Sequence, residues 1–217
     1  MPLDQVHTLI SDYLVQHAQT TPNREAVVFG DQRLTYAELD AQVQQCAKAL
    51  LAMRINKGDR VAVLCTSRTE YWVVFLATTR IGAIWLGLNP KYRLQECRYV
   101  LEDARPTALF AMAGFEGRCY REMINTLQKD YGFIKDVVSL TDPIPGTHSF
   151  SDFLALANTI DDQALAQRQS EIDRMDPALL VYTSGSTGQP KGALLSHYGL
   201  CFGSTVQNQH FLVTQPR

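Results

Sequence analysis

No aspartate or glutamate follows Asp176, although the chain runs on to Arg217. With 22 acids in 217 residues, that stretch would be expected to hold about four. The deficit leaves it without the carboxylate oxygens that a magnesium site needs. Cysteine is sparse too. Cys46, Cys65, Cys97, Cys119 and Cys201 are odd in number and form no C-x-x-C pair. That pattern argues against a disulfide framework or a zinc site and fits a reducing compartment. The expected role of these residues is to fill the core. Long apolar runs are missing: the longest, Tyr71 to Leu88, is broken by Arg80 and too mixed to span a bilayer. No basic segment followed by an apolar one opens the chain, so no secretory signal is expected and the cytoplasm is the expected location. Strong charge is missing as well. A net charge of −2 gives no electrostatic case for a nucleic-acid or anionic-membrane partner.

What is present is a globular composition, 46% hydrophobic and 19% charged. The chain is long enough for one domain or a domain and a half. Apolar residues at helical spacing between Leu3 and Ala18 predict a first helix. Ala26–Phe29 and Arg33–Thr35 flank Gly30-Asp31-Gln32, a hairpin signal. Thr35 with Glu38 makes a capping box for a helix that shows Tyr36, Leu39, Val43, Ala47 and Leu50 on one face. From there strands alternate with helices. Strands are expected at Val61–Cys65, Ala83–Leu88, Thr107–Ala111 and Asp136–Leu140. Helices are expected from a Ser67/Glu70 cap through Ile81, over Leu94–Ala104, and over Phe115–Lys129. Such repetition predicts an α/β fold, a parallel sheet covered by helices on both faces. Trp72 and Trp85 are expected inside it.

Thr141 to His148 is turn chemistry and marks an expected boundary. The division is then a sheet region over 1–140, linker and helices over 141–176, and a loop region over 177–217. Phe150 to Leu156 predicts a short helix. Asp161-Asp162 is better explained as a helix start than as a metal site.

The most informative stretch follows the apolar run Ala178–Val181. It reads Tyr182-Thr183-Ser184-Gly185-Ser186-Thr187-Gly188-Gln189-Pro190-Lys191-Gly192. Glycines let backbone N–H groups approach a ligand closely, and successive N–H groups can form an anion-binding concavity. Thr183, Ser184, Ser186 and Thr187 add hydroxyl donors, Lys191 adds a compact cation, and nothing in the stretch is acidic. A plain Gly/Ser turn would use the same residue types. The position directly after a buried strand, where α/β proteins place ligands, favours a phosphate cradle. It is not a Walker loop: Pro190 stands where that pattern needs glycine, and Gly192 where it needs serine or threonine. Pro190 also disfavours a helix start, so Ala193-Leu194-Leu195 is expected to be strand.

Thr183 to Gly192 resembles, without a gap, the signature loop of adenylate-forming enzymes, the superfamily of acyl-CoA synthetases, luciferases and peptide-synthetase adenylation domains. Ser196-His197 fits the usual continuation, with weak helical spacing from His197 to Gln209. Leu34-Thr35-Tyr36-Ala37-Glu38-Leu39, Lys57-Gly58-Asp59-Arg60-Val61 and Gly82-Ala83 leading to Leu88-Asn89-Pro90 resemble the same family's N-terminal half. Asn89-Pro90-Lys91-Tyr92 is more similar to the acyl-CoA synthetase branch.

The resemblance implies a two-step ligase reaction using ATP with Mg²⁺ and coenzyme A. A carboxylate attacks the α-phosphorus, pyrophosphate leaves, and the acyl-adenylate passes its acyl group to a thiol. It implies nucleotide contacts at Thr183, Ser184, Gly185, Ser186, Thr187, Gly188 and Lys191, with Lys191 the candidate catalytic residue on the phosphates. For His197 two roles stand open, a buried structural histidine or a lining of the acyl pocket. Family members continue well beyond this length, and the metal-binding and lid elements belong to that continuation. The expectation is an N-terminal fragment, inactive alone. The competing reading is a non-catalytic phosphate- or partner-binding module that keeps the fold.

Overall fold

The structure, a computed structural model, describes residues 7–183 and 189–210. Its first described helix, α1, spans Ile10–Thr20. Strands β1 (Glu25–Phe29) and β2 (Gln32–Thr35) pair as a hairpin around Gly30, whose φ of 56° is a conformation glycine adopts without strain. The capping box then starts α2, Tyr36–Ala52. Thr35 accepts from the Glu38 N–H at 3.3 Å, and the Glu38 carboxylate accepts from the Thr35 N–H at 2.8 Å.

The central sheet is built from β3 (Arg60–Leu64), β4 (Ile84–Leu88), β5 (Ala108–Ala111), β8 (Asp136–Ser139), β9 (His148–Ser149), β10 (Pro177–Thr183) and β11 (Lys191–Ser196). Its order is β11-β10-β4-β3-β5-β8-β9. All neighbours run parallel except β10 and β11, which form an antiparallel hairpin. The parallel strands read as nearly unbroken apolar runs because both faces are covered. β3 connects to β4 through α3 (Thr69–Arg80), while β4 returns past β3 to β5 through α4 (Leu94–Ala104). Right-handed crossovers in opposite directions put α3 and α4 on opposite faces. Helices α1 and α2 pack with α3. A buried ion pair joins α2 to α3, with Arg80 Nη1 2.6 Å from Asp40 Oδ1.

Three local expectations are corrected. The helix expected from a Ser67 cap begins instead at Thr69 behind Arg68, and Glu70 binds the Arg68 guanidinium at 2.6 Å rather than closing a capping box. Trp72 is 42% exposed on α3, where it stacks on Phe75; only Trp85 belongs to the core. The helix expected from Phe115 is α5, Arg121–Asp130. It starts late because a two-residue hairpin precedes it, β6 (Gly114–Phe115) and β7 (Arg118–Cys119). Glu116 and Gly117 both take positive φ at its tip.

The turn after Leu140 leads into β9, which extends the same sheet beside β8. Helix α6, Phe150–Ala155, follows, with a 3₁₀ turn over Leu156–Thr159. Asp161 then caps α7, Asp162–Ser170, by accepting from the Ala164 N–H at 2.7 Å, the helix-start role expected of it. Helix α8, His197–His210, ends the described part. Among the described residues no helix is long and apolar enough to cross a membrane.

Candidate functional site

Parallel α/β sheets open toward ligands at the carboxyl ends of their strands, where the connections diverge to the two faces. Here β3, β4 and β10 end side by side, and a cleft of ≈ 550 Å³ lies over them. Cys65, Thr66 and Ser67 leave β3, and Asn89, Pro90 and Lys91 leave β4. Leu180, Val181 and Tyr182 come from β10. Among the described residues Lys91 is the one charged side chain lining it, and no carboxylate does.

Trp85 forms part of the wall. Tyr71 and Phe75 of α3 meet its ring edge-on at centroid distances of 5.1 and 5.5 Å. The indole lies across Gly87, where a Cβ would come within 2.5 Å of it, so only glycine leaves room. Cys65 lines the cleft as a neutral thiol. Burial pushes its thiol up to about 11, and a neutral thiol is a poor attacking group.

The hairpin β10–β11 brings Thr183 and Lys191 together as a cross-strand pair at its loop end, both exposed. A hydroxyl and an ammonium therefore flank the two ends of the signature loop. Among the described residues Lys191 makes no ion pair. Ser184, Gly185, Ser186, Thr187 and Gly188 lie outside the described residues. One register step back, Tyr182 faces Gly192. The Tyr182 ring lies over that glycine, whose added Cβ would stand 3.2 Å from its Cζ. The phenol donates to Asp103 Oδ2 of α4. Burial first, and then the Asp103 carboxylate, raise the Tyr182 pKa and keep it a protonated donor. On the far side of the loop the Tyr99 hydroxyl donates to the Pro190 carbonyl at 2.9 Å.

His197 lies elsewhere. It begins α8 at the opposite end of β11 from Lys191, roughly 20 Å away at the antiparallel rise per residue. It is fully buried, its Nδ1 accepts from the Ile10 N–H at 3.4 Å, and Nε2 has no partner among the described residues. Burial lowers its pKa, with Asp176 and Asp12 pulling weakly the other way. His197 is not among the described residues that line the cleft.

Sequence reasoning did not single out Tyr71, Tyr99 or Asp103; it expected Trp85 only as a core residue and read Tyr182 only as the lead into the loop. Position just beyond the ends of β3, β4 and β10 could have flagged the cleft residues. No local pattern announces that α4 will meet the hairpin.

The donor set is suited to polyphosphate: a hydroxyl and an ammonium at one hairpin mouth, with the neighbouring carboxylate, Asp103, already engaged by Tyr182.

Comparison with known proteins identifies the family of the chain. The sequence profile of the family described as AMP-binding enzyme matches residues 14–216. YngI of Bacillus subtilis (strain 168), named as an acyl-CoA synthetase, is 33% identical over 211 residues, covering 90% of this chain and 38% of that protein. The human mitochondrial medium-chain acyl-CoA ligase ACSF2 is 32% identical over 206 residues, covering 87% and 33% respectively. A structure from Rhodopseudomonas palustris CGA009 named as a long-chain-fatty-acid CoA ligase superposes with a TM-score of 0.82 at 24% identity, covering 98% of this chain and 50% of that one. The anthranilate CoA ligase AuaEII, in complex with anthranoyl-AMP, gives 0.79 at 22% identity, covering 96% and 38%. At these identities the structural likeness is one of fold. The chain spans between a third and two fifths of the length of the two sequence relatives. With the profile matched from α1 to the end of the chain, and with the loop hairpin set at the carboxyl edge of a parallel sheet, this protein belongs to the AMP-binding, adenylate-forming enzymes.

Proposed function

We propose that this chain carries the phosphate-binding part of an ATP-dependent acyl-CoA synthetase. In that reaction a carboxylate attacks the α-phosphorus of ATP, pyrophosphate departs, and the thiol of coenzyme A takes the acyl group from the adenylate. The observation that carries the reading is the pairing of Thr183 with Lys191 at the mouth of an acid-free loop, beside a cleft at the strand ends. Negative charge builds on the transferred and leaving phosphates in the first step. Fixed hydroxyl, N–H and ammonium donors stabilise that charge more than they stabilise bound ATP.

Lys191 and Thr183, with Ser184, Gly185, Ser186, Thr187 and Gly188 between them, are the donors assigned here. Mg²⁺, which would neutralise phosphate charge, is assigned to carboxylates outside this chain. The 217 residues alone are proposed to bind nucleotide without turning over. The cleft at Cys65–Ser67 and Asn89–Lys91 is assigned to the non-nucleotide substrate or the incoming thiol arm.

Pyrophosphate exchange into ATP, with a panel of carboxylic acids, tests this on the full-length parent protein. Lys191→Ala is expected to lower exchange about 100-fold, the scale of losing one transition-state donor. Unchanged exchange removes Lys191 from the mechanism. Exchange catalysed by the 217 residues alone overturns the claim that they are incomplete. A chain that binds ATP or pyrophosphate by calorimetry, in a parent with no exchange activity, would support the non-catalytic module instead.

A further inference from the structure

Helix α4 touches the loop hairpin at two places that the ligase reaction does not by itself explain. Tyr99 and Asp103 are four residues apart and so share one face of the helix. Tyr99 donates to the Pro190 carbonyl, immediately before β11. Asp103 accepts from the hydroxyl of Tyr182, one residue before Thr183 at the end of β10. The two bonds thus land on opposite sides of the segment that joins the strands. The Tyr182 ring reaches α4 because Gly192, its cross-strand partner, presents no Cβ beneath it. Other faces of α4 are occupied differently. Cys97, Val100, Leu101 and Ala104 pack into the core, while Arg98 and Glu102 bind Asp130 and Tyr131 at the end of α5.

We infer that Tyr99 and Asp103 are positioning residues: acting through Pro190 and Tyr182, they set the spacing and direction of the two strand ends from which the phosphate donors project. This inference rests on the phosphate-binding reading and adds residues that do not touch the nucleotide. Preorganised donors bind anions tightly only while their geometry is held, so losing one tether should weaken binding without unfolding the sheet. α4 also begins just after Asn89-Pro90-Lys91, so one rigid helix links the cleft mouth to the loop.

The test is calorimetric titration of the 217-residue chain with inorganic pyrophosphate and with ATP, alongside thermal unfolding of each variant. Tyr99→Phe, Tyr182→Phe and Asp103→Ala each remove one tether and are expected to weaken binding roughly two- to tenfold, the range of one net hydrogen bond. The double variant Tyr182→Phe/Asp103→Ala should lose no more than either single one, because both break the same bond. Asp103→Asn keeps an acceptor oxygen and should recover most of the affinity. Tyr131→Phe cuts the hydrogen bond to Glu102 on another face of α4, and should leave affinity unchanged.

Wild-type affinity in both Tyr99→Phe and Tyr182→Phe overturns the inference, as does a Tyr131→Phe loss equal to theirs, which would mean that any loosening of α4 suffices. A wild-type chain that binds neither probe overturns the phosphate-binding reading itself, and this inference with it.

Discussion

His197 shows how much one buried side chain can impose on the behaviour of the chain. Its imidazole is fully enclosed between α8 and the start of α1, and burial holds its pKa below the ordinary 6.5. Folding therefore favours the neutral ring. Above pH 6.5 neither state carries the proton and the histidine contributes its full stability. As pH falls below 6.5, the unfolded chain takes up a proton that the folded chain refuses. Stability then drops by up to about 1.4 kcal/mol per pH unit, until the lowered folded pKa is reached. Asp176 also titrates abnormally, but in a separate window. Burial pushes its carboxyl up, and the Lys57 hydrogen bond and the Asp173 backbone outweigh it, so its net shift is downward from 3.8. Its contribution is lost only as the solution becomes more acidic than that value. Urea unfolding at pH 7.5, 6.5 and 5.5 isolates the histidine. The wild type should lose stability between the last two points, and His197→Asn should be flatter. Equal slopes would mean that the ring protonates in place.

At the scale of elements, the contact of α2 with α3 depends on a charge pair inside an apolar interface. The side chains of Arg80 and Asp40 are 6% and 15% exposed. Asp40 also accepts from the Gln44 amide at 2.8 Å. Removing Asp40 leaves a buried guanidinium uncompensated, which costs about 3–5 kcal/mol, while replacing the whole pair by apolar groups would cost far less. Asp40→Ala is therefore expected to lower the urea midpoint sharply, and the double variant Asp40→Ala/Arg80→Met to recover a good part of the loss. A small effect of the single change would mean that water reaches Arg80. Such pairs are invisible in a linear sequence, because Arg80 interrupts an apolar run and reads only as a blemish in it. The elements themselves were far more legible. The Thr35–Glu38 box, the helix over Leu94–Ala104 and the strand before the loop stand where the pattern put them, because each is set by local spacing and capping. The failures at Ser67 and Phe115 occurred where tertiary partners decide: Glu70 found Arg68, and a tight hairpin displaced the first turns of α5. The signature loop stood out through its place after an apolar strand and its gap-free resemblance to a family motif. The helix that holds its two ends did not, since Tyr99 and Asp103 look like any polar face until the sheet order is known.

For the whole molecule, the question is whether the three segments expected from the sequence fold as one. One buried core runs through them, from Leu14 on α1 to Leu180 on β10, and it includes Ile144, Phe153 and Leu165 from the middle segment. Phe153 meets Phe110 of β5 edge-on at 5.0 Å and is 1% exposed, so the segment after Leu140 seals one face of the sheet rather than hanging from it. A chain with one continuous core should unfold in one cooperative step. Trp85 reports on the sheet beside the cleft, Trp72 on the outer surface of α3, and far-ultraviolet dichroism on all helices together. In wild type the three transitions should coincide in urea. Phe153→Ala removes a buried ring and leaves a cavity, a loss of about 3–5 kcal/mol. If the core is shared, that change should move the Trp85 and dichroism midpoints by the same amount, although Trp85 stands three strands away across the sheet from β8. If the Trp85 transition stays put while part of the dichroism signal shifts, residues 141–176 form a unit of their own, and the single-core description fails.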